Sequence, residues 1–194
     1  MKITSLIAQL RDHCPSVGGR VAAAIDLATL QAETSLQTPC AYVMPISDTA
    51  SMNAAQNVTR QIIRDRFDTI LVLDTEDATK ALDLLYDLRA ELWRALVGFK
   101  PGADYSPIAY DGSELASANS HRAFYRLRFF AEFQLGRNRA TDPAESWHEC
   151  ELDALSSFTG VTVRVDAIDP ADPNLQHPGP DGRLELTFSG DVTP

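Results

Sequence analysis

"RAFYRLRFFAEFQL", residues 122–135, alternates with a period of two. Tyr125, Leu127, Phe129, Ala131, Phe133 and Leu135 fall on one side; Phe124, Arg126, Arg128, Phe130, Glu132 and Gln134 fall on the other. Successive side chains of a strand point to opposite faces, so the pattern predicts a long β-strand with one apolar face and one amphipathic face. The apolar face needs a cover, and "DTEDATKALDLLYDLRAELWRALVGF" (74–99) can supply it. There Ala78, Ala81, Leu82, Leu85, Leu88, Leu92, Ala95 and Leu96 form a stripe at helical spacing. Asp74 or Thr75 can cap its first turn, Glu76 and Asp77 suit the positive end of the helix dipole, and Gly98 is a natural left-handed stop. A long strand matched to a long amphipathic helix decides the class. The expected fold is α+β: a mixed, mainly antiparallel sheet with helices 3–12 and 77–97 packed on one face. Leu85, Leu88, Leu92 and Leu96 should meet Leu127, Phe129 and Phe133.

The rest of the chain extends this frame in both directions. Ile3, Leu6, Ile7 and Leu10 define the first helix, which Cys14-Pro15 ends. "SVGGRV" (16–21) reads as a turn or short strand edge. "AAAIDLATLQ" (22–31) reads as a short helix with Ala22, Ile25 and Leu30 inward. "PCAYVMPIS" (39–47) is a strand bracketed by prolines, which suits an edge or a bulge. "SDTASMNAAQN" (47–57) is a polar loop. "VTRQIIRDRFDTILVLD" (58–74) is a second long strand, fully buried over Ile70 to Leu73 and more exposed in its arginine-bearing first half. The stretch 98–115 is expected to be a loop in which Tyr105, Pro107 and Tyr110 fasten the helix end to the sheet or to a neighbouring subunit. "GVTVRVDAI" (160–168) and "RLELTFSG" (183–190) alternate again and read as a hairpin, joined by the proline-rich connection 169–182. The expected organisation is a body over 1–140 and an acidic extension with a β-hairpin over 141–194, together one domain.

Charge and composition narrow the function. The 194 residues carry a net charge of −10. Residues 141–194 hold two basic and eleven acidic side chains, 2 − 11 = −9, which leaves −1 for residues 1–140. Gripping phosphates takes clustered Lys and Arg, so tight nucleic-acid binding is disfavoured, although DNA could slide past an acidic surface. No apolar run approaches the ~18 residues that span a bilayer, and the N-terminus has no secretory pattern. The three cysteines, Cys14, Cys40 and Cys150, are too few and too far apart for a disulfide framework.

Chemical motifs are sparse. Gly18-Gly19 lacks the spacing of a phosphate loop, and no G-x-S-x-G elbow is present. His13-Cys14 and His148-x-Cys150 are the only paired metal donors, where zinc needs about four ligands. Asp111 and Glu114 stand in a Gly-Ser stretch where solvated acids are ordinary. Trp93, Phe99 and Tyr110 could box a ligand, but at helical spacing Trp93 reads better as a packing residue. The expectation is no catalytic residue, no cofactor and no metal. Arg126 and Arg128 between Phe124 and Phe130 suit a protein contact better than a nucleotide, because Arg and aromatics are both enriched at interfaces.

The order of pieces resembles the phage tail terminator family. It is carried by "PCAYVMPI" (39–46), "QNVTRQIIRDRFDTILVL" (56–73), "LWRALVGFKP" (92–101), "PIAYDGSEL" (107–115) and "AFYRLRFFAEFQL" (123–135). Phe99 stands where the pattern leads one to expect Trp after the glycine. The resemblance implies a structural virion protein that caps the tail tube as a homo-hexameric ring, stops tube polymerisation and joins the tail to the head connector. Implied partners are other copies of itself, the tail tube protein and the head–tail connector proteins. The resemblance implies no membrane partner, and DNA is expected to pass through the ring without specific binding. The implied location is the head-proximal end of the tail, after synthesis in the host cytoplasm. Subunit contacts are expected at Phe124, Arg126, Arg128, Phe130, Tyr105 and Tyr110, with reversal of Arg126 and Arg128 to Glu abolishing rings and leaving the protomer folded. A head–tail connector or minor tail protein of similar fold, or a small soluble enzyme, are the alternatives.

Overall fold

The computed structural model describes residues 1–139, 141–156, 158–165 and 186–191. Its elements are α1 (Ile3–His13), β1 (Val21–Ala23), α2 (Leu27–Ala32), β2 (Cys40–Ala50), β3 (Gln61–Asp74), α3 (Ala78–Leu96), β4 (Ala109–Ala118), β5 (Arg122–Leu135), α4 (Trp147–Ala154), β6 (Gly160–Val165) and β7 (Leu186–Asp191), with a short 3-10 turn at Pro15–Val17. The chain forms two compact units, Met1–Cys150 and the residues from Glu151 on. The fold is α+β, as the sequence predicts.

The first unit is built on a five-stranded sheet in the order β1-β2-β3-β5-β4. Only β1 and β2 run parallel; the other neighbours are antiparallel. The ladder between β3 and β5 is the longest and has no register break, running from Gln61 opposite Leu135 to Asp74 opposite Arg122. α1 and α3 cover one face of this sheet. Leu6 and Leu10 from α1, Leu88, Leu92 and Leu96 from α3, and Phe67, Leu71, Leu127 and Phe129 from the strands are all buried in one cluster. Leu85 is only half-buried at its margin, and Phe133 lies further along β5, tilted against Tyr105 at 4.9 Å between ring centres.

Local chemistry sets the helix ends. Asp77, rather than Asp74 or Thr75, caps α3, its Oδ1 accepting from the N–H groups of Thr79 and Lys80 at 3.1 and 3.2 Å. The helix stops before Gly98, whose φ of +88° is the left-handed stop expected there. Asp26 caps α2 by accepting from Thr29 N–H at 2.7 Å.

Several expectations need correction. α2 begins at Leu27, because Ala22 and Ala23 pair with β2 as strand β1. Ile25, expected inward, is 93% exposed. α2 lies on the sheet face opposite α1 and α3, where Leu30 packs with Cys40, Met44, Ile70, Val72 and Phe124 in a second cluster. β2 runs on to Ala50, past Pro45 through a register shift, so the connection to β3 is 51–60. Finally, Ala109–Ala118 is not a loop but the edge strand β4, broken by two register shifts. Gly112, at φ +108°, sits at the first of them, and such irregular edges carry little alternation for sequence to show.

β6 and β7 form a separate antiparallel pair, from Gly160 opposite Asp191 to Val165 opposite Leu186. The proline-rich connection 169–182 lies outside the described residues.

Candidate assembly interface

The strand β5 places its residues as the alternation requires, but the chain itself satisfies much of the amphipathic face. Phe124 is fully buried beneath α2, against Leu30 and Ile70. It is a core residue of the protomer, which removes it from any exposed contact surface. Arg126 pairs through Nε with Asp68 on β3 at 3.0 Å and through Nη1 with Glu114 on β4 at 3.1 Å. Arg128 reaches the same Glu114 oxygen at 2.5 Å. Asp68 is itself buried, and burial pushes its carboxyl above the usual carboxylate range although Arg126 and Arg128 pull it down. Phe130 is half-buried and carries the guanidinium of Arg64 at 4.4 Å from its ring centre. That guanidinium also pairs with Glu132 at 2.7 Å. A cleft of about 320 Å³ opens beside these groups, lined by Arg66, Asp68, Asp111, Arg126 and Arg128 among others. Arginines and aspartates both line it, and Arg126 and Arg128 are already paired with Asp68 and Glu114.

Tyr105 and Tyr110 both bind within the protomer. The Tyr105 hydroxyl donates to Asp65 at 2.7 Å and accepts from the Met1 ammonium at 2.6 Å, so it ties the segment after α3 to β3 and to the start of α1. Burial, then the Asp65 carboxylate, raises its phenol far above the ordinary value. Tyr110 packs edge-on to Trp93 at 5.3 Å and against Phe129 at 5.4 Å, which fastens the end of α3 to β4 and β5. Trp93 and Tyr110 therefore pack directly, while Phe99 joins the margin of the main core. Asp111 and Glu114 separate in role, since Glu114 holds two arginines and Asp111 has no ion pair among the described residues.

Elsewhere, Glu149 is buried and accepts from the N–H groups of Arg137 at 2.9 Å, Glu145 at 2.8 Å and Ser146 at 3.1 Å. These backbone bonds, that of Glu145 first, hold its carboxyl below the usual range. Cys14 and Cys40 are buried and Cys150 is exposed. Among the described residues no three His, Cys, Asp or Glu side chains gather as a metal site would require.

The surface that sequence reading missed is on α3. Leu82, Tyr86, Trp93 and Val97 are exposed to 47%, 57%, 36% and 46%. At 100° per residue they follow one line along the helix, beside the buried stripe and not within it. The signal was present: the apolar arc of α3 wraps more than half the helix, wider than one sheet face can bury.

The family described as phage tail terminator protein matches residues 1–141. The chain belongs to the phage tail terminator family. The matched residues take in the whole five-stranded sheet with α1, α2 and α3, so the resemblance read from the strand and helix pieces holds. Membership makes the chain a structural protein of a phage tail and places it in the virion. A solved chain from the virion of a native gene transfer agent particle is also similar, with a TM-score of 0.44 at 15% identity, covering 68% of this chain and 92% of that one. No curated protein matches the chain. For the terminator-like body, the arginine face described above is largely paired inside one protomer, and the α3 stripe is an apolar surface left open.

Proposed function

We propose that copies of this chain close into a six-membered ring on the last ring of the tail tube. There they stop its polymerisation and form the joint to the head connector, at the head-proximal end of the tail. The family match over residues 1–141 carries this reading. Charge is consistent with it. A ring through which DNA moves must not grip phosphates, and a chain of net charge −10 lacks the basic lining that would do so. The role needs no bound cofactor or metal and no reaction, because binding energy between protein surfaces is enough to block further tube addition. Arg128 and Phe130, each partly accessible, remain available to a neighbouring subunit at the rim of a contact.

Deletion of the gene from the phage tests this directly. Electron micrographs of the deletion lysate should show tails of uncontrolled length and few joined heads. Tails of normal, uniform length would contradict the reading.

A further inference from the structure

Several apolar surfaces of this chain stay open among the described residues, and two of them differ in charge. The first is the α3 stripe of Leu82, Tyr86, Trp93 and Val97. Leu115 on β4, 53% exposed, stands opposite Tyr125 in the ladder and so lies on the same side of the sheet as α3. Contiguous exposed apolar surface on a soluble protein marks a binding site. Arg89 sits within the stripe, its guanidinium 4.5 Å from the ring centre of Tyr86 and 4.8 Å from that of Trp93. Its Nε is buried and finds no acceptor among the described residues. A guanidinium carries five donors, and an unpaired buried donor is costly. Tyr, Trp and Arg together are the side chains that dominate binding energy at protein interfaces. What this site lacks is a carboxylate.

The second surface has that carboxylate. Trp147 in α4 is 78% exposed, and Leu155 and Phe158 just beyond it are 69% and 67% exposed. Glu151 is exposed between them, within a region of net charge −9. This segment follows the residues that the family matches, 1–141, so a contact through it would be an addition to the shared body.

Resting on the ring reading above, we infer that segment 147–158 of one copy docks on the α3 stripe of the next, with Glu151 meeting Arg89. A closed ring needs two different patches on each subunit, one for each neighbour. The two surfaces complement each other in charge and are both apolar. Pairing either surface with itself would set Arg89 against Arg89, or acid against acid, which like-charge repulsion opposes. Head-to-tail contact removes both conflicts and covers both apolar surfaces at once.

Engineered cysteine chemistry tests the contact on assembled tails. Tyr86→Cys, or Leu82→Cys as a second variant, adds a thiol to the exposed stripe; the native exposed thiol is Cys150 in α4. Mild oxidation of tails carrying the variant should give a ladder of covalent multimers beyond the dimer, absent from wild-type tails. An internally crosslinked monomer, a dimer only, or no crosslink would overturn the inference. Tails that lack the chain altogether would instead contradict the ring reading, so the two failures are distinct. Arg89→Glu should lower the amount of ring on tails at least tenfold, and adding Glu151→Arg should restore it. Equal loss in the double variant would also overturn the pairing.

Discussion

Arg126 and Arg128 are two residues apart on one face of β5, yet the structure gives them different work. Arg126 neutralises Asp68, a buried carboxylate whose desolvation raises its pKa and weighs against folding at neutral pH. Arg128 is 46% exposed and forms its ion pair with Glu114. Arg126→Glu would put a third carboxylate beside Asp68 and Glu114, so it should destabilise the protomer by about 3–5 kcal/mol, the range for breaking a buried pair. Arg128→Glu should cost less than about 1 kcal/mol, as an exposed pair does. Chemical denaturation of the two single variants checks this, and equal losses would mean that Asp68 does not depend on Arg126. The proposal that both arginines can be reversed with the protomer left folded is therefore narrowed to Arg128. Cysteines make a second contrast at this scale. Burial, then the nearby Glu91, pushes the Cys14 thiol up to about 11, and Cys40 is raised by burial as well. Since the thiolate is the reactive form, a thiol reagent at pH 8 should modify Cys150 alone in the folded protein and all three cysteines after denaturation. Rapid labelling of Cys14 in the native state would contradict its burial.

Elements were legible where a single period dominates. β5 alternates over its full length and α3 repeats its leucines, so both were read with nearly correct ends, and their packing follows. Leu88 is fully buried between α3 and the sheet, and Leu88→Ala should cost ~2–5 kcal/mol through lost burial and a cavity. A loss below about half a kcal/mol, well under that range, would take the stripe out of the core. β4 was illegible because two register shifts interrupt its alternation, and its Asp-Gly-Ser-Glu resembles turn chemistry. Phe124 was misassigned because its cover, α2, is six residues long and offers one buried leucine. The α3 contact stripe was hidden for the opposite reason, since an apolar arc by itself does not say where the sheet ends and open surface begins. Gly136 shows how tight the end of β5 is. Its φ is +99°, and a Cβ there would lie 1.9 Å from the carbonyl oxygen of Thr59. Gly136→Ala should cost at least about 1–3 kcal/mol from backbone strain, with the clash added. An unchanged melting temperature would show that the 51–60 connection can move aside.

For the whole molecule, the family assignment and the unspent surfaces point the same way. One sheet with α1 and α3 on one side and α2 on the other satisfies most of its own apolar and charged groups. Among the surfaces it leaves open are an aromatic stripe in which Arg89 Nε finds no acceptor among the described residues, and an acidic segment with exposed Trp147, Leu155 and Phe158. Such free surfaces suit assembly, since they offer large side chains to a partner. The net charge of −10 does not favour tight binding of nucleic acid. The central claim is that this chain ends the tail tube as a ring, and the most direct measurement is its position and copy number on intact tails. Averaged electron micrographs of purified tails bearing a tagged copy should show the tag at one end only, the head-proximal end, in six-fold register. A tag distributed along the tube, located at the far tip, or absent from tails would contradict the account.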